Sequence, residues 1–180
     1  MKCLKLFRPS KGNQAPSSSI SNLSSTGFLW SVACVCVVLL VGCATTPDEF
    51  TRARAVANQS IASEPPGNYF VGRRFYRRSY FFWGYVRQPR QPWSTARLVM
   101  LNEQRTLAPD REANAIGFDN NYEYRLDGYF SGQTVYEPAS NGFYPEFVLT
   151  GYKVLSNNPP RIFRDPAATD PNRLYIDKPE

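Results

Sequence analysis

Histidine is absent from this 180-residue chain, and all four cysteines (Cys3, Cys34, Cys36 and Cys43) lie in its first 43 residues. The first absence removes Ser-His-Asp and Cys-His nucleophilic arrangements, which need an imidazole as general base. The second leaves the chain beyond Cys43 without a disulfide framework or a thiolate zinc site. Acid is missing too before Asp48, so Lys2, Lys5, Arg8 and Lys11 give the amino-terminal stretch four uncompensated positive charges. From Cys43 onward 17 basic residues face 15 acidic ones, a net of +2, so the overall charge of +6 is poor support for nucleic-acid binding. Lysine is nearly absent there: 15 of the 17 bases are arginine, which favours forked, stacked or paired contacts. A long apolar run is also lacking. The longest, FLWSVACVCVVLLVG over 28–42, has 15 positions, whereas a membrane-spanning helix needs about 20.

A basic segment followed by a short apolar one reads as an export signal rather than a span. The run ends on Leu40-Val41-Gly42-Cys43, which resembles the lipobox of bacterial lipoproteins. That resemblance implies cleavage after Gly42, a diacylglycerol on the Cys43 thiol and a second acylation, such as palmitate, on its new amino group. Two or three acyl chains at about 0.8 kcal/mol per buried methylene exceed what stable anchoring needs. Ala44, where an Asp tends to mark inner-membrane retention, implies an outer-membrane address facing the periplasm in a host with two membranes. The alternative keeps 28–42 as an uncleaved anchor.

The expected organisation is therefore a signal peptide (1–42), a lipidated cysteine and tether (43–68), a β domain (69–155) and a Pro-rich tail (156–180). Within the tether, Thr46-Pro47-Asp48-Glu49 has the form of a capping box, with Thr46 at the N-cap. It predicts a short helix over about 47–60 with Phe50, Ala53, Ala57 and Ile61 on one face. Pro65-Pro66-Gly67 ends it. In the tail, Ile162-Phe163 and Leu174-Tyr175-Ile176 are candidates to dock on the domain.

From Tyr69 to Trp93 the chain carries ten aromatics and six arginines. Strands are predicted at 69–77, 79–87 and 96–101, then a long polar loop with a helical turn after Pro109. NYEYRLDGYF, 121–130, alternates with period 2, and Gly128 marks a bulge. Strands at 133–137 and 145–155 flank a turn at PASNG. Five or six short strands with glycines at their corners (Gly72, Gly84, Gly128, Gly132, Gly151) predict an all-β fold. The form expected is a small antiparallel barrel or sandwich, OB-like among the options.

The chemistry on offer is thin. GFDNN, 117–121, reads as a loop with solvated Asx turns rather than a calcium site, and neither metal nor cofactor is expected. Glu123 with Asp127, and Glu137 with Glu146 across the hairpin, are the carboxylate pairs that could support glycoside cleavage. Carboxylates are equally ordinary on a wet sheet face, so a non-catalytic role is preferred. The most distinctive candidates are Arg73, Arg74, Arg77, Arg78, Tyr80 and Trp83, as a site for an anionic or glycan ligand. A cell-wall polymer, a lipid head group or an envelope protein would suit it as partner; export argues against nucleic acid. The competing reading, preferred on composition, pairs the arginines with acids while the aromatics fill a core. Phe143 and Tyr144 are either a contact point at a loop tip or the hydrophobic return into the last strand. The expected function is a lipid-anchored envelope module that binds or scaffolds, with an acid-based envelope hydrolase as the alternative.

Overall fold

A computed structural model describes residues 48–180. The expected signal segment, with Gly42 and Cys43, lies outside the described residues. Helix α1 (Glu49–Ser63) leads into β1 (Phe70–Arg74), β2 (Gly84–Arg87) and, after a 3-10 turn at Trp93–Thr95, β3 (Arg97–Asn102). A single helical turn, α2 (Pro109–Glu112), precedes the two long strands β4 (Glu123–Glu137) and β5 (Gly142–Ser156). The described residues are mostly strand, with α1 the one long helix, and the five strands close a barrel in the order β1-β2-β3-β5-β4. All neighbours are antiparallel except β3 and β5, which run parallel. This is the connectivity of an OB-type Greek-key barrel.

Local chemistry explains where the elements start and stop. Asp48, not Thr46, is the N-cap of α1: its carboxylate accepts from the Thr51 N–H at 2.7 Å. An N-cap carboxylate one residue ahead of Glu49 satisfies an orphan amide that the expected Thr46 box would have left to a later residue. The helix ends at Glu64 because the residue before a proline is driven out of the α region, and Glu64 sits at ψ 130. The predicted strands at 69–77 and 79–87 are shorter than expected, and 75–83 forms the loop between them. Tyr and Phe favour pleated surfaces through packing and not through the backbone itself. Here Phe75 and Phe82 pack as loop residues, stacked 5.9 Å apart. The stretches 121–130 and 133–137 join into one bent strand whose register shifts at Gly128, as expected, and again between Phe130 and Thr134.

Alternation along the strands builds two cores. Inside the barrel lie Trp83, Val86, Val99, Tyr124, Leu126, Phe147 and Leu149. Gly72 in β1 makes room for this layer, since a Cβ there would meet Leu126 and the Trp83 ring. The second core lies on the outer face of β1 to β3, where Val71, Tyr85, Leu98 and Met100 are met by other parts of the chain. Ile61 of α1 covers them, with Trp93 and the carboxyl-terminal Ile162, Phe163 and Ala168. The described part of the expected tether is thus packed on the barrel through Phe50, Ala57 and Ile61. The tail docks as well, by Ile162 and Phe163, whereas Leu174 and Tyr175 stay exposed.

Candidate functional site

The arginine-aromatic segment divides between the two faces of β1 and the loop that follows it. Arg73 lies on the outer face, fully buried, 2.6 Å from Glu123 and over the Trp93 ring at 5.2 Å. It also donates to Asn121 Oδ1 and to the Pro160 carbonyl. Burial pushes its guanidinium down against the opposing pull of Glu123. Arg87, from β2, stacks on the same Trp93 and forks onto Glu64 at 2.5 and 2.9 Å. Trp93 therefore has a guanidinium against it from each of two strands.

Arg74 turns inward. It donates to Asp110 at 2.8 Å and to the Phe82 and Trp83 carbonyls, and its Nε lies 3.4 Å from Asp119. Tyr124 donates to the far oxygen of Asp119 at 2.9 Å. Burial raises the pKa of Asp119, opposed by Arg74 and Tyr124. Burial, then Asp119, raises that of the Tyr124 hydroxyl, which keeps its proton and remains a donor. Arg77 is buried beneath the tail: it donates to the Ala168 carbonyl at 2.5 Å, lies 3.6 Å from Asp177 and covers the Phe75 ring at 3.9 Å. Three of the four predicted arginines thus pair with carboxylates in the interior. Arg78 is different. It is exposed, its backbone N–H bonds to Pro171, and its side chain has no carboxylate or hydrogen-bond partner among the described residues.

The expected residues still converge on one place. A cleft of about 550 Å³ opens at the barrel mouth between the β1–β2 loop and the β3–β4 loop. Arg74, Arg77, Arg78, Tyr80 and Trp83 line it; Arg73 does not. Its other wall was not foreseen: Glu103, Asp110, Arg111 and Ile116 come from a polar stretch without periodicity, where only Pro109 gave a cue. Phe81, 75% exposed, and Ile116, 57% exposed, stand on opposite sides. Gly117, at φ +75, holds the far loop against Tyr76, whose ring a side chain would strike. Burial raises the Glu103 carboxyl, Arg111 opposes, and Asp110 adds to the rise. Burial leaves the indole N–H of Trp83 without a hydrogen-bond partner among the described residues.

The chain matches no family model, no curated protein and no solved structure.

The carboxylates singled out in the sequence each meet other partners. Glu123 is held by Arg73, and Asp127 lies 3.5 Å from its own neighbour Arg125. Glu137 is opposite Gly142, whereas Glu146 is opposite Met100 of β3 and accepts from Asn102, so the two do not face across the hairpin. The tight turn is the cause, since a register that sets Glu137 opposite Gly142 leaves Glu146 further along β5, beyond Pro145 opposite Thr134. The Asx side chains of GFDNN are not left to solvent as expected: Asp119 is fully buried, and Asn120 accepts from the Tyr76 N–H and donates to the Thr169 carbonyl. Among the described residues no three metal-ligating side chains are grouped to hold an ion. Phe143 and Tyr144 divide the two readings given to them, the first 71% exposed and the second packed on Phe82 at 5.7 Å.

The usual OB-type platform is closed. Such barrels commonly bind along the face of strands 2 and 3. Here Tyr85, Leu98 and Met100 of that face lie under Ile61, Phe163 and Ile162.

Proposed function

We propose that this chain is a lipid-anchored protein of the bacterial cell envelope whose barrel is a binding module and not an enzyme. The address rests on Leu40-Val41-Gly42-Cys43 at the end of an apolar run too short to span. No helix among the described residues is long and apolar enough to cross a membrane. With Cys43 acylated and α1 packed on the barrel, only Ala44 to Pro47 link lipid to domain. Fully extended, that link reaches at most about 18 Å, so the barrel works beside the bilayer. In a host with two membranes, Ala44 assigns it to the outer one, facing the periplasm.

The single observation that carries the binding role is the barrel-mouth cleft, which keeps the unpaired Arg78 and the exposed Phe81 on walls where Arg74 and Arg77 are already paired. Clefts of about 300–1,000 Å³ at barrel mouths are ordinary ligand sites. The partners this suits are envelope components: a cell-wall polymer, a lipid head group or another envelope protein. Nucleic acid is not expected, because the OB platform is covered and the domain carries little net charge. Fractionation tests both parts. Wild type should incorporate palmitate, sediment with membranes, and be retained on isolated envelope material after detergent extraction. Cys43→Ser should lose the membrane and palmitate without losing that retention. A detergent-extracted wild type that fails to bind envelope material contradicts the binding role.

A further inference from the structure

The binding role leaves the ligand's chemistry open, and the cleft narrows it, because its arginines are not equivalent. The Arg74 fork is closed by Asp110 and two carbonyls. That of Arg77 is closed by the Ala168 and Tyr76 carbonyls, with Phe75 across the guanidinium. Neither can turn to a ligand without leaving a buried carboxylate or carbonyl unpaired, which costs the full desolvation of that group. Two cations remain. Arg78 has no partner among the described residues, and Arg111, more than half exposed, meets Glu103 only at 3.7 Å. Within the lining four arginines face two carboxylates, and because Asp119 and Asp177 behind it engage Arg74 and Arg77, the accessible positive charge is that of Arg78 and Arg111. An anion therefore has two available donors, both forked.

The rest of the wall adds a second requirement. Phe81 presents most of its ring to solvent, and Tyr76 and Tyr80 supply further aromatic surface. Glu103 lies beside them as an acceptor for hydroxyl donors, partly exposed and paired only at long range. A purely inorganic anion would leave the aromatic wall idle, and a purely apolar guest would leave Arg78 unpaired.

We infer that the cleft between the β1–β2 and β3–β4 loops binds an acidic saccharide, with its anionic group on Arg78 and Arg111 and a ring face on Phe81. Glu103 accepts from the sugar hydroxyls. This assignment rests on the binding role proposed above. The anion's source, a carboxylate or a phosphate on the sugar, draws on the same two arginines.

Calorimetric titration of the full-length protein in detergent micelles tests it. The probes are N-acetylglucosaminyl-N-acetylmuramic acid, a phosphorylated hexose, neutral chitobiose and adenosine monophosphate. The acidic disaccharide or the phosphorylated hexose should bind about tenfold or more tightly than chitobiose, a difference of about 1.4 kcal/mol. Arg78→Ala and Arg111→Ala should each weaken the acidic probe several-fold and leave chitobiose unchanged, and Phe81→Ala should weaken both. All three side chains are exposed, so melting temperatures should not move and lost binding cannot be lost folding. Equal affinity for acidic and neutral sugars overturns the assignment, as does acidic binding that survives the double arginine variant. Binding of the nucleotide alone, or of none of the probes, overturns it too. In each of those cases retention on envelope material decides separately whether the binding role stands.

Discussion

Arg74 and Arg78 lie four residues apart in one arginine-rich stretch and have opposite roles. The first is 6% exposed and holds Asp110 and Asp119; the second is exposed with no partner among the described residues. Truncating one partner of a buried ion pair leaves the other charge uncompensated and costs about 3–5 kcal/mol. Arg74→Ala should therefore destabilise the domain by about that much in urea denaturation, while Arg78→Ala should stay within about 0.5 kcal/mol. Equal effects would mean that the interior network carries no stability. Glu137 sets a pH limit of its own. Burial pushes its carboxyl up, but hydrogen bonds from Ser140 and Ala139 outweigh that and hold it below its ordinary 4.5. A depressed folded pKa contributes stability that is complete above the unfolded value and is lost as pH falls through the folded one. Thermal melts should accordingly decline below about pH 4.5, and Glu137→Gln should flatten that acid limb. An unchanged limb in the variant would assign the acid sensitivity elsewhere.

At the scale of elements, α1 and the tail complete the barrel by sealing the outer face of β1 to β3. Ile61 and Phe163 belong to the same buried cluster, and Glu64 ties the end of α1 to Arg87 and to the Arg90 N–H. Ile61→Ala should cost about 2–5 kcal/mol, as core truncations do, and Phe163→Ala a similar amount. Chemical denaturation of the single and double variants should show coupling, because the two side chains share one cluster. Strict additivity would argue that helix and tail dock independently. Much of this fold was legible beforehand. Period-2 alternation over 121–130, the Gly128 bulge and the turn at 138–142 all mark β4 and β5 directly. The stretch 75–83 was not legible as a loop, because stacked aromatics look the same in sequence whether they line a strand or cover one. Half of the cleft was legible for a related reason: arginine next to tyrosine is conspicuous, whereas Glu103, Arg111 and Ile116 sit in a polar stretch with no period. The capping residue differed by two positions because Thr46 and Asp48 both suit an N-cap.

For the whole molecule, α1 and the tail cover the outer face of β1 to β3 and leave the barrel mouth open, and the proposed anchor at Cys43 would hold the barrel beside a membrane. Closing the OB platform with α1 and the tail covers the surface on which such barrels commonly bind oligonucleotides. The mouth is lined by Arg78, which has no partner among the described residues, beside the exposed Phe81. The proposed anchor rests on the chemistry of Cys43. Mass spectrometry of the mature amino terminus is the most direct measurement. The account predicts a chain that begins at Cys43, with a diacylglyceryl thioether on its sulfur and an acylated amino group. A chain that begins at Met1, or one in which Cys43 is unmodified, would contradict it.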